Sequence, residues 1–232
     1  MPAPSAKPLF SAMKAKRKPA QAEVLFAAET SVAPAKRERR QHDLYPTGEP
    51  EAIRSLLAAD SARIRPGPVW EPAAGYGHMV REIEAAGLAC VRSDLVDHGC
   101  PGVVVRSFYD WREAPARVVI TNPPYCEINA RDGHGRWLRH MLALSGWDYC
   151  ALLLSWDWPA ARANGLGALL DQHSFSYCYL MRWKLDFTGE GSPPQRNAWF
   201  IWDKTWTGTE PAFRWMDKED GRQGSLFGRA GA

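Results

Sequence analysis

Short β-prone runs and helical stretches take turns along this chain, and that alternation limits the folds open to it. Apolar, strand-like runs fall at residues 69–71, 88–93, 103–105, 118–121 and 149–154. Helical patterns lie at 49–59, 78–86, 135–145 and 158–170. Strands separated by helices return to the same end and pair in parallel, with helices on both faces. Two later runs, near 176–183 and 197–203, have only a Gly- and Pro-rich loop at 188–196 between them. They are expected to form an antiparallel hairpin at the sheet's edge. The expected fold class is α/β, a doubly wound, mainly parallel sheet.

The fourth run ends in Asn122-Pro123-Pro124-Tyr125. Two prolines fix φ and remove two backbone donors. The first also drives Asn122 toward an extended conformation. The result is a stiff segment with free carbonyls, an amide and an aromatic ring at the carboxyl end of a strand. Open α/β sheets bind ligands at that end. Such a segment suits a planar group bearing an NH2: oxygens accept its hydrogens and the ring stacks on its face. On its own the tetrapeptide also reads as a Pro-Pro turn.

The first run leads into Glu71-Pro72-Ala73-Ala74-Gly75-Tyr76-Gly77. Glycines after a first strand let the backbone approach a ligand as the next helix begins. Asp94 closes the second run, 17 residues after Gly77, where an acid can hold two ribose hydroxyls. A dinucleotide loop wants a third glycine, but Val80 stands there. Glu71 would repel a pyrophosphate. It suits instead a ligand carrying an ammonium and a sulfonium. S-adenosylmethionine has both, with a ribose for Asp94.

Charge and composition bound the partners. Among 232 residues the net charge is +3. Residues 1–40 hold nine Lys and Arg against three acids, so that segment carries +6 and the remainder −3. It reads as a flexible basic arm over residues 1–41, able to neutralise phosphates. Residues 42–206 form the expected catalytic body, and 207–232 a polar, Gly-rich tail. Five cysteines without C-x-x-C spacing point to a reducing compartment, the cytoplasm, and away from a disulfide scaffold. No run reaches the ~18 apolar residues of a membrane span. The six histidines show no ligand spacing, and no metal is assigned.

The chain resembles the amino-methylating DNA methyltransferases, in particular short phage or prophage adenine-N6 enzymes, from about Asp43 to Lys204. Asp43-Leu44-Tyr45-Pro46-Thr47 looks like their N-terminal cofactor motif, and residues 71–77 like their glycine motif. Asp94 looks like the ribose acid, and Asn122-Pro123-Pro124-Tyr125 like the catalytic motif without a substitution. Asn197–Trp202 looks like their late strand. The resemblance implies a Rossmann-like methyltransferase fold with S-adenosylmethionine as cofactor. Its contacts would come from Tyr45, Thr47, Glu71, Ala73, Gly75, Gly77, Asp94 and Asn122. Ser107-Phe108 departs from the pattern, standing where an acid or amide usually meets the cofactor's adenine; Asp110 lies nearby. Thr47 also reads as the N-cap of the first helix.

Adenine N6 shares its lone pair with the ring and is a poor nucleophile. The Asn122 oxygen and the Pro123 carbonyl are expected to accept its two hydrogens, while Tyr125 stacks on a flipped base. Arg131 and Arg136 are candidates for contacts to flanking DNA, and Trp183 and Lys184 for the wall of the base pocket. The expected substrate is adenine in double-stranded DNA, recognised over a short or relaxed sequence. The alternatives are RNA adenine, or an idle nucleic-acid-binding protein with the same fold.

Overall fold

The computed structural model describes residues 47–64, 67–131, 133–187, 191 and 195–218. Tyr45, the basic arm and most of the 188–196 loop lie outside the described residues.

Eight strands form one sheet: β1 (Val69–Glu71), β2 (Cys90–Asp94), β3 (Val104–Val105), β4 (Val118–Thr121), β5 (Tyr149–Ser155), β6 (Tyr177–Met181), β7 (Asn197–Asp203) and β8 (Ala212–Met216). The order across it is β3-β2-β1-β4-β5-β7-β6-β8. β1 pairs in parallel with both β2 and β4, and β4 with β5. The sheet therefore reverses its strand order beside β1 and β4, the place where doubly wound sheets open a crevice at their carboxyl ends. Among the described residues six helices accompany the sheet: α1 (Pro50–Ala59), α2 (Ser61–Ile64), α3 (His78–Ala85), α4 (Tyr125–Ile128), α5 (Arg136–Ala143) and α6 (Leu166–Gln172).

The central strands are buried on both faces, which is why their sequences read as continuous apolar runs. Alternate residues serve opposite layers. Along β5, Tyr149, Ala151 and Leu153 pack with Ala52, Ile53 and Leu56 of α1 and Met79 and Ile83 of α3. Cys150, Leu152 and Leu154 pack with Trp137, Leu138 and Met141 of α5 and Leu166 and Leu169 of α6. A charged centre sits inside the first layer. Asp60, buried just after α1, accepts hydrogen bonds from the hydroxyls of Tyr149 (2.7 Å), Tyr177 (3.0 Å) and Tyr179 (2.8 Å). Arg214 of β8 donates to the Tyr179 hydroxyl at 2.9 Å and lies 4.0 Å over the Tyr177 ring.

Several local expectations are corrected. The late hairpin is antiparallel, but β7 inserts between β5 and β6, and β8 runs parallel to β6 outside it. The supposed tail after residue 206 thus supplies the outermost strand of this side. Its signal is weak because Phe213 and Trp215 are exposed, while Arg214 and Met216 turn inward. The helix expected over 158–170 breaks into two 3-10 turns, Trp158–Ala160 and Ala163–Gly165, before α6. Pro159 is the second residue of the first, and Asn164 (φ 54°) and Gly165 (φ 80°) interrupt the second. Thr47 does not cap α1. Glu49 holds the N-cap position without a side-chain cap bond, and Thr47 is engaged elsewhere. Among the described residues no helix is long and apolar enough to cross a membrane.

Candidate functional site

A cavity of about 500 Å3 opens at the carboxyl ends of β1, β2 and β4. Two loops and one strand end build most of it. The first loop follows β1 and winds back through Gly75 (φ 52°) and Gly77 (φ 74°) into α3. Gly77 needs both its freedom and its missing side chain: a Cβ there would meet Cys100 Sγ at 2.7 Å. The loop is tied to β2 twice, by Ala74 N–H donating to the Ser93 carbonyl (3.1 Å) and by Gly75 N–H donating to Asp94 Oδ2 (2.8 Å). Asp94 Oδ1 also accepts from Val96 N–H at 3.3 Å. The acid is thereby fixed at the rim of the cavity.

Glu71 lies at the floor and is 1% exposed. Its Oε1 accepts from Ala73 N–H (3.0 Å) and from the hydroxyl of Thr121, the last residue of β4. Its Oε2 has no hydrogen-bond partner among the described residues. Burial pushes the Glu71 carboxyl up to about 8; the bonds from Thr121 and Ala73 oppose that, and the Asp94 charge adds to it. A buried carboxylate with one unmet oxygen costs several kcal/mol until a donor or a cation arrives. The floor is thus built for a positively charged group that donates hydrogen bonds.

Thr121 hands the chain directly to Asn122. The Asn122 Nδ2 donates to Thr47 Oγ1 at 3.1 Å. Thr47, ahead of α1, therefore holds the amide by its nitrogen and turns the carboxamide oxygen the other way. The two prolines carry the chain into α4, whose first residue is Tyr125. The Tyr125 hydroxyl donates to the Leu153 carbonyl (3.4 Å) and accepts from Asn197 Nδ2 (3.3 Å). That pins one end of the ring against β5 and β7.

Of the residues singled out from sequence, Thr47, Glu71, Ala73, Gly75, Asp94, Asn122, Pro123, Pro124 and Tyr125 all line this one cavity. Gly77 shapes its loop without lining it. Ser107 and Phe108 line it as well, while Asp110 is exposed and does not. Trp183 packs against the core layer that holds α1. Lys184 and Arg131 are exposed, and none of these three lines the cavity. Arg136 pairs with Glu127 at 2.9 Å.

Sequence reasoning noted Ser107 and Phe108 but passed over their neighbours Tyr109, Glu127 and Trp137. Tyr109 donates from its hydroxyl to Glu127, and Arg136 lies 5.8 Å over the Tyr109 ring. Phe108 stacks on Trp137 with centroids 4.2 Å apart and planes 5° from parallel. Burial and then the bond to Glu127 push the Tyr109 hydroxyl well above its usual range. Glu127 stands two residues after the conspicuous tetrapeptide, which is its only sequence signal. Its partner Tyr109 is 18 residues back along the chain. Among the described residues no group of three His, Cys, Asp or Glu is arranged to hold a metal ion.

No family profile and no curated protein matches the chain. Solved structures do resemble it. A Listeria monocytogenes protein named as a candidate class I S-adenosylmethionine-dependent methyltransferase aligns with TM-score 0.50 and 12% identity, covering 77% of this chain and 67% of that one. The methyltransferase subunit of a type I restriction-modification system from Streptococcus thermophilus gives 0.49 and 13%, covering 74% and 47%. The modification subunit of a candidate type I restriction enzyme from Vibrio vulnificus gives 0.49 and 11%, covering 77% and 48%. The chain spans about half the length of those two subunits. The likeness is one of fold, a Rossmann-like sheet of the methyltransferase kind.

Proposed function

We propose that the chain transfers a methyl group from S-adenosylmethionine to the N6 amine of adenine in DNA. One observation carries this reading: Glu71, Asp94 and the Asn122–Tyr125 segment line a single cavity although the sequence spreads them over more than 50 residues. The residues present fit the cofactor. Glu71 offers a buried, unmet oxygen for the ammonium, and Asp94 offers its carboxylate for the ribose. Gly75 and Gly77 keep the loop bare enough for close approach. When bound, the cofactor supplies an electrophilic methyl on a sulfonium.

The chain's own residues do the rest. The Asn122 side-chain oxygen and the Pro123 carbonyl accept the two N6 hydrogens, drawing the nitrogen toward a tetrahedral shape with its lone pair outward. These are fixed dipoles that meet positive charge as it develops on the amine. Their rigidity comes from two prolines and from Thr47, so little reorganisation is needed at the moment of reaction. Tyr125, its hydroxyl end pinned by Leu153 and Asn197, presents its ring to stack on a base taken out of the duplex. Once the methyl bond has formed, the nitrogen is a strong acid and passes its extra proton to solvent at the mouth of the cavity, so the transfer needs no strong base beside the amine.

The test is tritiated methyl transfer from S-adenosylmethionine to unmethylated DNA, RNA and protein in parallel, followed by mapping of N6-methyladenine. Label on DNA adenine that disappears in Asn122→Ala is the expected result. Label confined to RNA or protein would replace DNA as the substrate, and no label on any acceptor would sink the enzymatic reading.

A further inference from the structure

Resting on the cofactor reading above, a second recognition question arises at the far wall of the cavity. Glu71 and Asp94 account for the ammonium and the ribose, but the adenine of the cofactor also carries a 6-amino donor. Glu71 ends β1, Asn122 follows β4, and Asp94 ends β2, one strand further out. Leu95 follows Asp94, and Ser107, Phe108 and Tyr109 follow β3, the strand beyond β2. Tyr109 bonds Glu127 and Phe108 stacks on Trp137, so these six lining residues lie together on that side of the cavity. Leu95 and Phe108 are apolar and suit the faces of a purine. Within this group, the remaining side chains can meet its edge.

Those groups sort by their existing bonds. Ser107 Oγ accepts from Tyr109 N–H at 3.3 Å as part of its own turn, and as a neutral hydroxyl it is a weaker acceptor for an NH2 than a carboxylate. The Tyr109 hydroxyl donates to Glu127, and Trp137 is an indole, which donates only. Glu127 accepts from Tyr109 on Oε2 and from Arg136 on Oε1 at 2.9 Å. Each carboxylate oxygen has a second lone pair, and the Glu127 side chain, which lines the cavity, keeps 21% of its surface accessible. Tyr109 and Arg136 each hold one of its oxygens. We infer that Glu127 is the acceptor for the 6-amino group of the cofactor's adenine, making it the residue that distinguishes adenosyl from inosyl ligands.

The chemistry makes the assignment testable. Hypoxanthine replaces the donor at position 6 with a carbonyl, which a carboxylate repels. A Gln at 127 can turn its NH2 toward that carbonyl. Isothermal titration of the full chain with S-adenosylhomocysteine and S-inosylhomocysteine reads the difference directly. The wild type is expected to prefer the adenosyl compound about 10- to 100-fold, the scale of a mismatched buried polar pair. Glu127→Gln should bring the two within about threefold. Tyr109→Phe removes one of the two bonds that orient the carboxylate but keeps the carboxylate itself, so it should lower the preference less than Glu127→Gln does. An undiminished preference in Glu127→Gln would overturn the assignment while leaving the cofactor reading intact. A preference lost as completely in Tyr109→Phe as in Glu127→Gln would overturn it too, since the wall's packing rather than its acceptor would then set the choice. Binding of neither compound to the wild type would overturn the cofactor reading and this inference together.

Discussion

Thr47 accepts a hydrogen bond from the side-chain nitrogen of Asn122 at 3.1 Å, across 75 positions of sequence. The segment before α1 thereby sets the orientation of the amide that begins the Asn-Pro-Pro-Tyr motif. Asn122→Ala is expected to reduce methyl transfer at least about 100-fold, the scale of losing one preorganised polar group. Its affinity for S-adenosylmethionine should stay within a few-fold. Thr47→Val should reduce turnover about tenfold by releasing the amide, and Thr47→Ser should restore most of it. Single-turnover rates and titrations on the same preparations separate chemistry from binding. A Thr47→Val enzyme with wild-type turnover would remove Thr47 from this role.

Glu71 should make cofactor binding depend on pH. Burial raises its carboxyl to about 8. Below that pH the group is neutral and must lose a proton before it can pair with an ammonium. Apparent affinity should therefore rise with pH, about tenfold per unit, until near pH 8. Stability of the ligand-free chain should move the other way. Glu71 is neutral when folded but ionises near 4.5 when unfolded, so its stabilising contribution is full below 4.5 and is lost as pH rises toward 8. Glu71→Gln should flatten both profiles. A variant with the same pH slope as the wild type would place the titration on another group.

Gly77→Ala should destabilise the fold by about 1–2 kcal/mol, since a left-handed residue gains a Cβ that meets Cys100 Sγ at 2.7 Å. Adding Cys100→Ala removes the collision but not the positive φ. Urea unfolding of the two single variants and the double variant should show a favourable coupling between the sites. Strict additivity would mean the backbone, not the contact, carries the cost.

Asp60→Ala should cost about 3–5 kcal/mol, because it leaves three tyrosine hydroxyls and Arg214 without their charged centre inside a packed layer. Turnover per folded molecule should be unchanged, since Asp60 does not line the cavity. Chemical denaturation gives the first quantity and active-site titration the second.

The parts of the site legible in sequence are those that local chain geometry makes. A β-branched run ending at Thr121, two prolines after Asn122, glycines at 75 and 77 and an acid closing β2 each carry their signal within a few residues. Period-2 and period-3.6 patterns likewise located β1 to β7 and most helices. β8 escaped because two of its apolar side chains, Phe213 and Trp215, face outward and one of its inward residues, Arg214, is charged. It is a strand only because β6 offers it an edge.

What the chain settled by itself, then, is the alternation that makes a doubly wound sheet and the stiff strand end that presents Asn122. What only the folded molecule decided are the pairings: Thr47 with Asn122, Thr121 with Glu71, and Tyr109 and Arg136 with Glu127. None of these can be read along the sequence, because a hydrogen bond between distant residues exists only after the sheet has brought β1, β2 and β4 side by side. Packing also made Glu71 a buried acid with an unmet oxygen, a property of its surroundings rather than of its letter in the sequence.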